Sequence, residues 1–194
     1  MFYSITNCQE GLRGISFGNL LIKQVAVELK REFPHLRNFA TLSPVPGFRR
    51  WLAENRSRIA AGPDGIERLA LLGRLADPAW HTGEIPDTLA RLLTRLCASY
   101  LVHAKLDGPR GGPGREPLDS VARFHLGNGA ILERINWLGD TSAQGMSRSA
   151  GLMVNYAYRL ADVERNHERY FREQRVIASS QVEKLARESP LPAA

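Results

Sequence analysis

The feature that most constrains this chain is a glycine-bearing turn at residues 13–19, between a strand-like run at residues 1–6 and a helical run at residues 20–33. Its members are Arg13, Gly14, Ile15, Ser16, Phe17, Gly18 and Asn19. A turn in this setting directs several backbone N–H groups and the positive end of a helix dipole at one point, which favours a bound phosphate. Because a second strand is predicted at residues 37–42, the order strand, turn, helix, strand predicts an open α/β unit.

Helical periodicity recurs along the chain. The run at residues 20–33 places a set of apolar side chains on one face and ends at Pro34. That apolar set is Ile22, Val25, Ala26, Leu29 and Phe33. Further helices are predicted at residues 48–55, 66–75, 87–105 and 176–187. The fold class expected from these elements is therefore α/β or α+β with several helices.

Two segments are harder to interpret. Residues 107–117 are rich in glycine and proline, which predicts a flexible surface loop. Residues 121–126 and 130–138 flank Asn128 and Gly129, and this arrangement fits either a β-hairpin or a helix that leads into a strand.

The charge of the chain points to an acidic partner. The net charge is +6 and the isoelectric point is about 9.7. The basic residues are scattered and match no nucleic-acid-binding motif, so a CoA-like ligand is favoured over nucleic acid. No apolar run approaches the roughly 20 residues that cross a bilayer. Met1 leads directly into a strand-like run, and Cys8 and Cys97 match no metal spacing, so a cytoplasmic protein without a metal site is predicted.

Ser43 and His125 are candidates for chemistry, although each has a plain structural interpretation. Ser43 is predicted to lie in a turn held by the two prolines that follow it, Pro44 and Pro46, and it lacks the setting of a nucleophile elbow. His125 lies in an apolar run, where a histidine is more often a hydrogen-bonded core residue than a catalyst. Tyr156 and Tyr158 alternate along the chain and are interpreted as packing aromatics.

Several uncommon strings occur in an order that resembles the malonyl-CoA decarboxylase family. They are Phe33-Pro34-His35-Leu36, Leu42-Ser43-Pro44-Val45-Pro46-Gly47-Phe48, Phe124-His125-Leu126, Asn128-Gly129-Ala130, Arg134-Ile135-Asn136-Trp137 and Gly151-Leu152-Met153. The resemblance implies a GNAT-like acyl-CoA-binding fold that is incomplete at its N-terminus. It also implies that residues 1–189 are the C-terminal portion of the catalytic domain, and residues 190–194 are expected to form a disordered tail.

The resemblance implies a carboxy-lyase of fatty acid metabolism that converts malonyl-CoA to acetyl-CoA and CO₂. Ser43 and His125 would be the catalytic pair, and residues 13–19 would hold the CoA pyrophosphate. Ser16 stands where some relatives carry glutamate. No separate cofactor is expected, because the thioester carbonyl of the substrate takes up the electrons. His125, with an ordinary pKa of about 6.5, would supply a proton to C2.

Two rival functions stay open at this point. One is a GNAT-type acyltransferase, which would share the CoA-binding turn, and the other is an inactive CoA-binding or interaction fragment. The family resemblance further implies a homo-oligomer in the full-length enzyme. Little activity is expected from the 194-residue chain alone.

Overall fold

A computed structural model describes residues 1–3, 18–107, 113–173 and 175–191 of the chain. These residues form a mixed structure of helices and strands, which confirms the predicted mixed class. The helices are α1 (Gly18–Glu32), α2 (Phe48–Glu54), α3 (Arg56–Ile59), α4 (Gly65–Gly73), α5 (Asp87–His103), α6 (Ser120–Gly127), α7 (Ala143–Ser149), α8 (Val163–Glu173) and α9 (Ser180–Arg187). The strands are β1 (Phe2–Tyr3), β2 (Phe39–Pro44), β3 (Lys105–Asp107), β4 (Pro113–Pro117), β5 (Ile131–Asn136) and β6 (Met153–Tyr158).

The main sheet has the strand order β1-β2-β6-β5. β1 pairs parallel to β2, with Phe2 opposite Thr41 and Tyr3 opposite Leu42, whereas β6 pairs antiparallel with both β2 and β5. A parallel pair needs a long crossover between its strands, and α1 lies in that connection. The α/β unit predicted from the N-terminal part of the sequence is therefore present.

The segment before α9 extends the sheet instead of beginning the helix. The backbone N–H of Leu132 donates to the carbonyl of Ile177, and the N–H of Ser179 donates to the carbonyl of Leu132, both at 2.9 Å. The Ser179 side chain then caps the helix by accepting from the N–H of Val182. The helix predicted from residue 176 is wrong for its first four residues, because pairing with β5 holds them extended.

The buried apolar face of α1 contains fewer residues than the sequence pattern predicts. Ile22 and Ala26 are buried, but Val25 is 38% exposed and Phe33 is 49% exposed. Phe33 follows Glu32, the last helical residue, so it leaves the buried stripe, and Val25 lies at the border of that stripe.

The glycine- and proline-rich segment is partly ordered into strands. β3 and β4 pair antiparallel, with Lys105 opposite Pro117 and Asp107 opposite Pro113. The flexible loop predicted over residues 107–117 is therefore wrong for Asp107 and for residues 113–117, while residues 108–112 lie outside the described residues. The prolines are tolerated because this ribbon has only two strands, so both are edge strands.

The segment that carries His125 is a helix that leads into a strand, and the hairpin alternative is wrong. α6 ends at Gly127, and Asn128 and Gly129 connect it to β5. Gly129 has a φ of +76°, a left-handed conformation that glycine adopts without strain. The tight connection fixes the end of α6, and therefore His125, against the sheet.

Near the C-terminus, Leu191 is buried and its carbonyl accepts a hydrogen bond from the Ser99 hydroxyl of α5. Residues 192–194 of the expected disordered tail lie outside the described residues. Among the helices of the described ranges, none is long and apolar enough to cross a membrane.

Candidate active site

β2 carries Ser43 on a buried face of the main sheet. Strand side chains alternate between faces, so Thr41 and Ser43 share one side, and both are buried. The predicted turn is wrong for Ser43, since β2 runs through Pro44 and the chain turns only after it. A proline is tolerated in this place because it closes the strand.

α6 carries His125 over the same face. The helix begins after Asp119, whose carboxylate accepts from the backbone N–H of Ala122 at 2.8 Å. Ala122, His125 and Leu126 form the buried stripe of α6. His125 lies in the last turn and is 2% exposed.

The structure brings Ser43 and His125 together from positions 82 residues apart. Ser43 Oγ lies 3.1 Å from His125 Nε2. The Ser43 hydroxyl donates to Thr41 Oγ1 at 2.9 Å, and Thr41 Oγ1 also accepts from the backbone N–H of Tyr156 at 3.2 Å. The expected proximity is therefore present, whereas the catalytic role of the pair stays a prediction.

The other ring nitrogen of His125 also has a partner. His125 Nδ1 lies 2.8 Å from the hydroxyl oxygen of Tyr158. The imidazole stacks on the ring of Tyr156, with centroids 4.5 Å apart and planes 24° apart. β6 supplies both tyrosines from one face, because they alternate along the strand. Residues Ser43, His125 and Tyr158 thus form one buried hydrogen-bonded chain.

Sequence reasoning missed the contact between Tyr158 and His125, and it also missed Thr41. The alternation of Tyr156 and Tyr158 was a usable signal, since it indicates two aromatics on one face of a strand. It does not reveal which helix covers that face.

Burial sets the protonation state of His125. Desolvation disfavours the imidazolium and lowers the pKa of His125 from 6.5 to about 4. The ring is therefore neutral at neutral pH when no ligand is bound. The expectation of an ordinary pKa near 6.5 is wrong, because the partners of the ring are uncharged hydroxyl groups and no carboxylate among the described residues offsets the desolvation.

We expect this buried neutral histidine to destabilise the fold in acid. His125 takes up a proton near pH 6.5 in the unfolded chain and only near pH 4 in the folded chain. The resulting loss of folding free energy is therefore absent above pH 6.5 and grows as the pH falls towards 4. The full penalty is roughly 3 kcal/mol, at about 1.4 kcal/mol per pKa unit. Urea unfolding at several pH values would measure it.

The His125→Gln variant is the control, because it keeps a hydrogen-bonding side chain that does not titrate. Other groups with shifted pKa values, such as the half-buried His103 and the buried Asp119, contribute equally to both proteins. An equal loss of stability in both proteins between pH 6.5 and 4 would show that His125 titrates normally.

The predicted phosphate-binding turn lies mostly outside the described residues. Arg13, Gly14, Ile15, Ser16 and Phe17 are among those not described. The last two members of the turn, Gly18 and Asn19, open helix α1. Phosphate binding by the turn, and a cleft beside it that contains Ser43, stay predictions.

Within residues 1–3, 18–107, 113–173 and 175–191, no group of three or more His, Cys, Asp or Glu side chains is placed to hold a metal ion.

The fold and the site define an α/β protein in which a buried serine and histidine meet across a sheet and a helix. Residues 1–193 match the family model of the malonyl-CoA decarboxylase C-terminal domain. The chain therefore belongs to the malonyl-CoA decarboxylase family.

Individual relatives agree with this assignment. The chain is 38% identical to the mitochondrial malonyl-CoA decarboxylase of Rattus norvegicus, over 94% of this chain and 39% of that protein. The malonyl-CoA decarboxylase structure from Rhodopseudomonas palustris superposes with a TM-score of 0.82 at 50% identity, over 95% of this chain and 41% of the other. The malonyl-CoA decarboxylase structure from Agrobacterium vitis superposes with a TM-score of 0.80 at 47% identity, over 95% of this chain and 44% of the other. The chain thus spans about two-fifths of the length of these relatives.

Proposed function

We propose that this chain carries the decarboxylation site of an enzyme that converts malonyl-CoA to acetyl-CoA and CO₂. The observation that carries the proposal is the 3.1 Å contact between Ser43 Oγ and His125 Nε2 in a buried site. The two residues come from the separate motifs that resemble the family, and the family model spans both. A pair that served only packing would not need two polar side chains at this depth.

The chemistry requires one proton. The bond between C2 and the carboxylate breaks, CO₂ leaves, and the electron pair moves onto the thioester carbonyl as an enolate. C2 then takes a proton, so that each turnover consumes one proton overall. In this scheme Ser43 hydrogen-bonds the malonyl end of the substrate, and His125 supplies the proton to C2.

The uncharged character of the described part of the site favours loss of CO₂. Ser43 is 5% exposed, and its side chain makes hydrogen-bond contacts with Thr41 and His125. Neither of these side chains carries a charge at neutral pH. A carboxylate moved from water into such a site loses solvation that the neutral product CO₂ does not need. The same carboxylate, while bound, would raise the pKa of His125 and help it to hold a proton.

Residues 13–19 complete the proposal by holding the CoA pyrophosphate on backbone N–H groups. The support is their position between β1 and α1, at the N-terminus of a helix. We propose further that the reaction uses no separate metal or organic cofactor, since the thioester itself accepts the electrons.

We expect Gly14→Pro or Gly18→Asp to weaken CoA binding by about tenfold or more, because a charge-assisted hydrogen bond contributes roughly 1.5–3 kcal/mol. The first change removes an N–H donor, and the second adds a negative charge beside the phosphates. Titration calorimetry of the chain with CoA measures the effect. Gly83→Asp is the control, because a Cβ at Gly83 would meet nothing within 4 Å and the residue lies in a different segment of the sequence. Equal CoA affinity in all three variants would show that the turn does not bind the CoA phosphates.

Activity is best tested in a chimaera, in which this chain replaces the matching segment of the Rhodopseudomonas palustris protein. We expect the chimaera to release CO₂ and form acetyl-CoA in equal amounts. Ser43→Ala should lower the turnover by about 10²-fold, because the group that orients the malonyl end is lost. Ser147→Ala, an exposed serine of α7, should leave the turnover unchanged.

Two outcomes would overturn the proposed function. One is a folded chimaera that binds CoA but releases no CO₂, while the parent protein does. The other is transfer of the acyl group to an amine without decarboxylation, which would instead support an acyltransferase. The GNAT-like character of the fold, the cytoplasmic location and the homo-oligomeric state stay predictions from the sequence.

A further inference from the structure

A cavity of about 420 Å³ lies where the end of α5, strand β3 and helix α9 meet. Four basic side chains line it, and they are His103, Lys105, Arg175 and Arg187. Of the described residues that line it, one, Glu183, is a carboxylate. The lysine and the two arginines are charged at neutral pH. Three positive charges against one negative charge therefore leave the cavity with an excess of two positive charges.

These positive charges are only partly compensated by the protein. Glu183 Oε2 lies 3.9 Å from Arg187 Nη1, four residues further along α9. Within residues 1–3, 18–107, 113–173 and 175–191, no carboxylate lies within ion-pair distance of Lys105 or Arg175. Lys105 is half-buried, and this burial lowers its pKa because the ammonium has lost part of its hydration. A cation in this state is stabilised by an anion placed beside it.

The cavity also has an apolar wall. Val102, Val176 and Ala186 line it, and both Val176 and Ala186 are buried. A volume of about 420 Å³ falls in the range of small-molecule sites, roughly 300–1,000 Å³, and exceeds what a single inorganic anion fills. The lining therefore suits a molecule that carries both negative charge and a carbon skeleton.

The cavity lies beside the edge of the main sheet that is opposite to the predicted CoA-binding turn. β1, which precedes that turn, and β5 are the two edge strands in the order β1-β2-β6-β5. Residues 177–179, directly after Val176, pair with β5. Neither Ser43 nor His125 lines the cavity. The cavity is therefore distinct from the proposed decarboxylation site.

We propose that this cavity binds a phosphate monoester, that is, a small organic molecule with one terminal phosphate. Such a phosphate carries about 1.5 to 2 negative charges at neutral pH, which matches the excess of positive charge in the cavity. Lys105 and Arg175 donate charge-assisted hydrogen bonds to the phosphate oxygens, and the carbon skeleton contacts Val176 and Ala186. A monocarboxylate would neutralise only half of the excess charge.

Proton NMR of the full chain with phenyl phosphate at pH 7 tests the proposal. We expect the ring-proton resonances of His103 to shift saturably, with a dissociation constant below about 1 mM. His103 reports the ligand because burial, and then the charge of Lys105, lower its pKa, whereas a bound dianion favours the imidazolium. The resonances of His35, which is exposed and does not line the cavity, should not shift.

Lys105→Gln and Arg175→Gln should each weaken the binding of phenyl phosphate about tenfold, because each removes one charge-assisted hydrogen bond. Arg37→Gln is the matched control: Arg37 is exposed and does not line the cavity, so this change removes the same net charge without altering the site. Arg175 is also exposed, so Arg175→Gln keeps the test decisive if Lys105→Gln does not fold.

Two further ligands separate the contributions of charge and apolar contact. Inorganic phosphate has a similar charge but no carbon skeleton, and benzoate has the aromatic ring but a single charge. Both should therefore bind more weakly than phenyl phosphate.

Three results would overturn the proposal. They are the absence of a saturable His103 shift in the unmodified chain, equal affinity of Arg175→Gln and Arg37→Gln, and displacement of phenyl phosphate by equimolar CoA. The last result would make the cavity part of the substrate site. The proposal does not depend on decarboxylation, and a failure of the proposed function would show only in the chimaera assay.

Discussion

Replacement of His125 by glutamine should lower the decarboxylation kcat/KM of the chimaera by about 10³-fold, in the middle of the range for a lost general acid. Glutamine is uncharged and can still donate to Ser43 Oγ, which lies 3.1 Å from Nε2 in the native site. It cannot deliver a proton at neutral pH, so the defect should appear in kcat with little change in KM. Steady-state release of acetyl-CoA measures both constants.

His167→Gln is the matched control for this change. His167 also lies near α6, where its Nδ1 is 2.6 Å from the carbonyl of Gly127, but it does not contact Ser43 or Tyr158. We expect the control to keep its activity within about twofold, as for most substitutions away from the reacting atoms. A His125→Gln chimaera that keeps a tenth of its activity would mean that the proton reaches C2 by another route.

The largest expected effect on stability comes from Gly129→Ala. A Cβ at this position would lie 2.1 Å from the carbonyl oxygen of Val163, and the backbone φ of +76° is strained for alanine. Because the contact is with backbone, α8 or the connection from α6 must move, and we expect a loss of about 3 kcal/mol or more. Denaturant unfolding of the chain measures the change.

Gly73→Ala is the comparison for that variant. Gly73 closes α4, and a Cβ there meets nothing within 4 Å. Alanine should therefore be neutral or stabilise the helix by up to about 1 kcal/mol. If both variants unfold at the same denaturant concentration, the connection after α6 is more adaptable than its geometry indicates.

Local sequence patterns predicted those helices and strands whose own residues indicate the secondary structure. The helix before Pro34 and the long helix α5 follow from periodicity, and the short strand β2 follows from its place after α1. Ser43 was misplaced because Pro44 and Pro46 indicate a turn, and nothing local shows that β2 continues through the first proline.

The rest depends on pairing between distant segments. Pro113 and Pro117 become strand residues because β3 lies opposite them, and residues 177–179 are extended because β5 is their neighbour. The motifs that carry Ser43 and His125 indicated the pair, but the contact of Tyr158 with His125 depends on the register of β6 against β2. That register cannot be read from either strand alone.

The hydrogen bond from Ser43 to Thr41 also bears on how such sites are recognised in other structures. By distance alone, Ser43 and His125 fit the template of a serine hydrolase, in which the imidazole withdraws the hydroxyl proton. Here the Ser43 hydroxyl has a second buried partner besides the imidazole, the Thr41 hydroxyl at 2.9 Å. A template search that stores every hydrogen-bond partner of the serine, as well as the serine–histidine separation, would distinguish dyads whose serine also bonds a threonine from those whose serine bonds the imidazole alone.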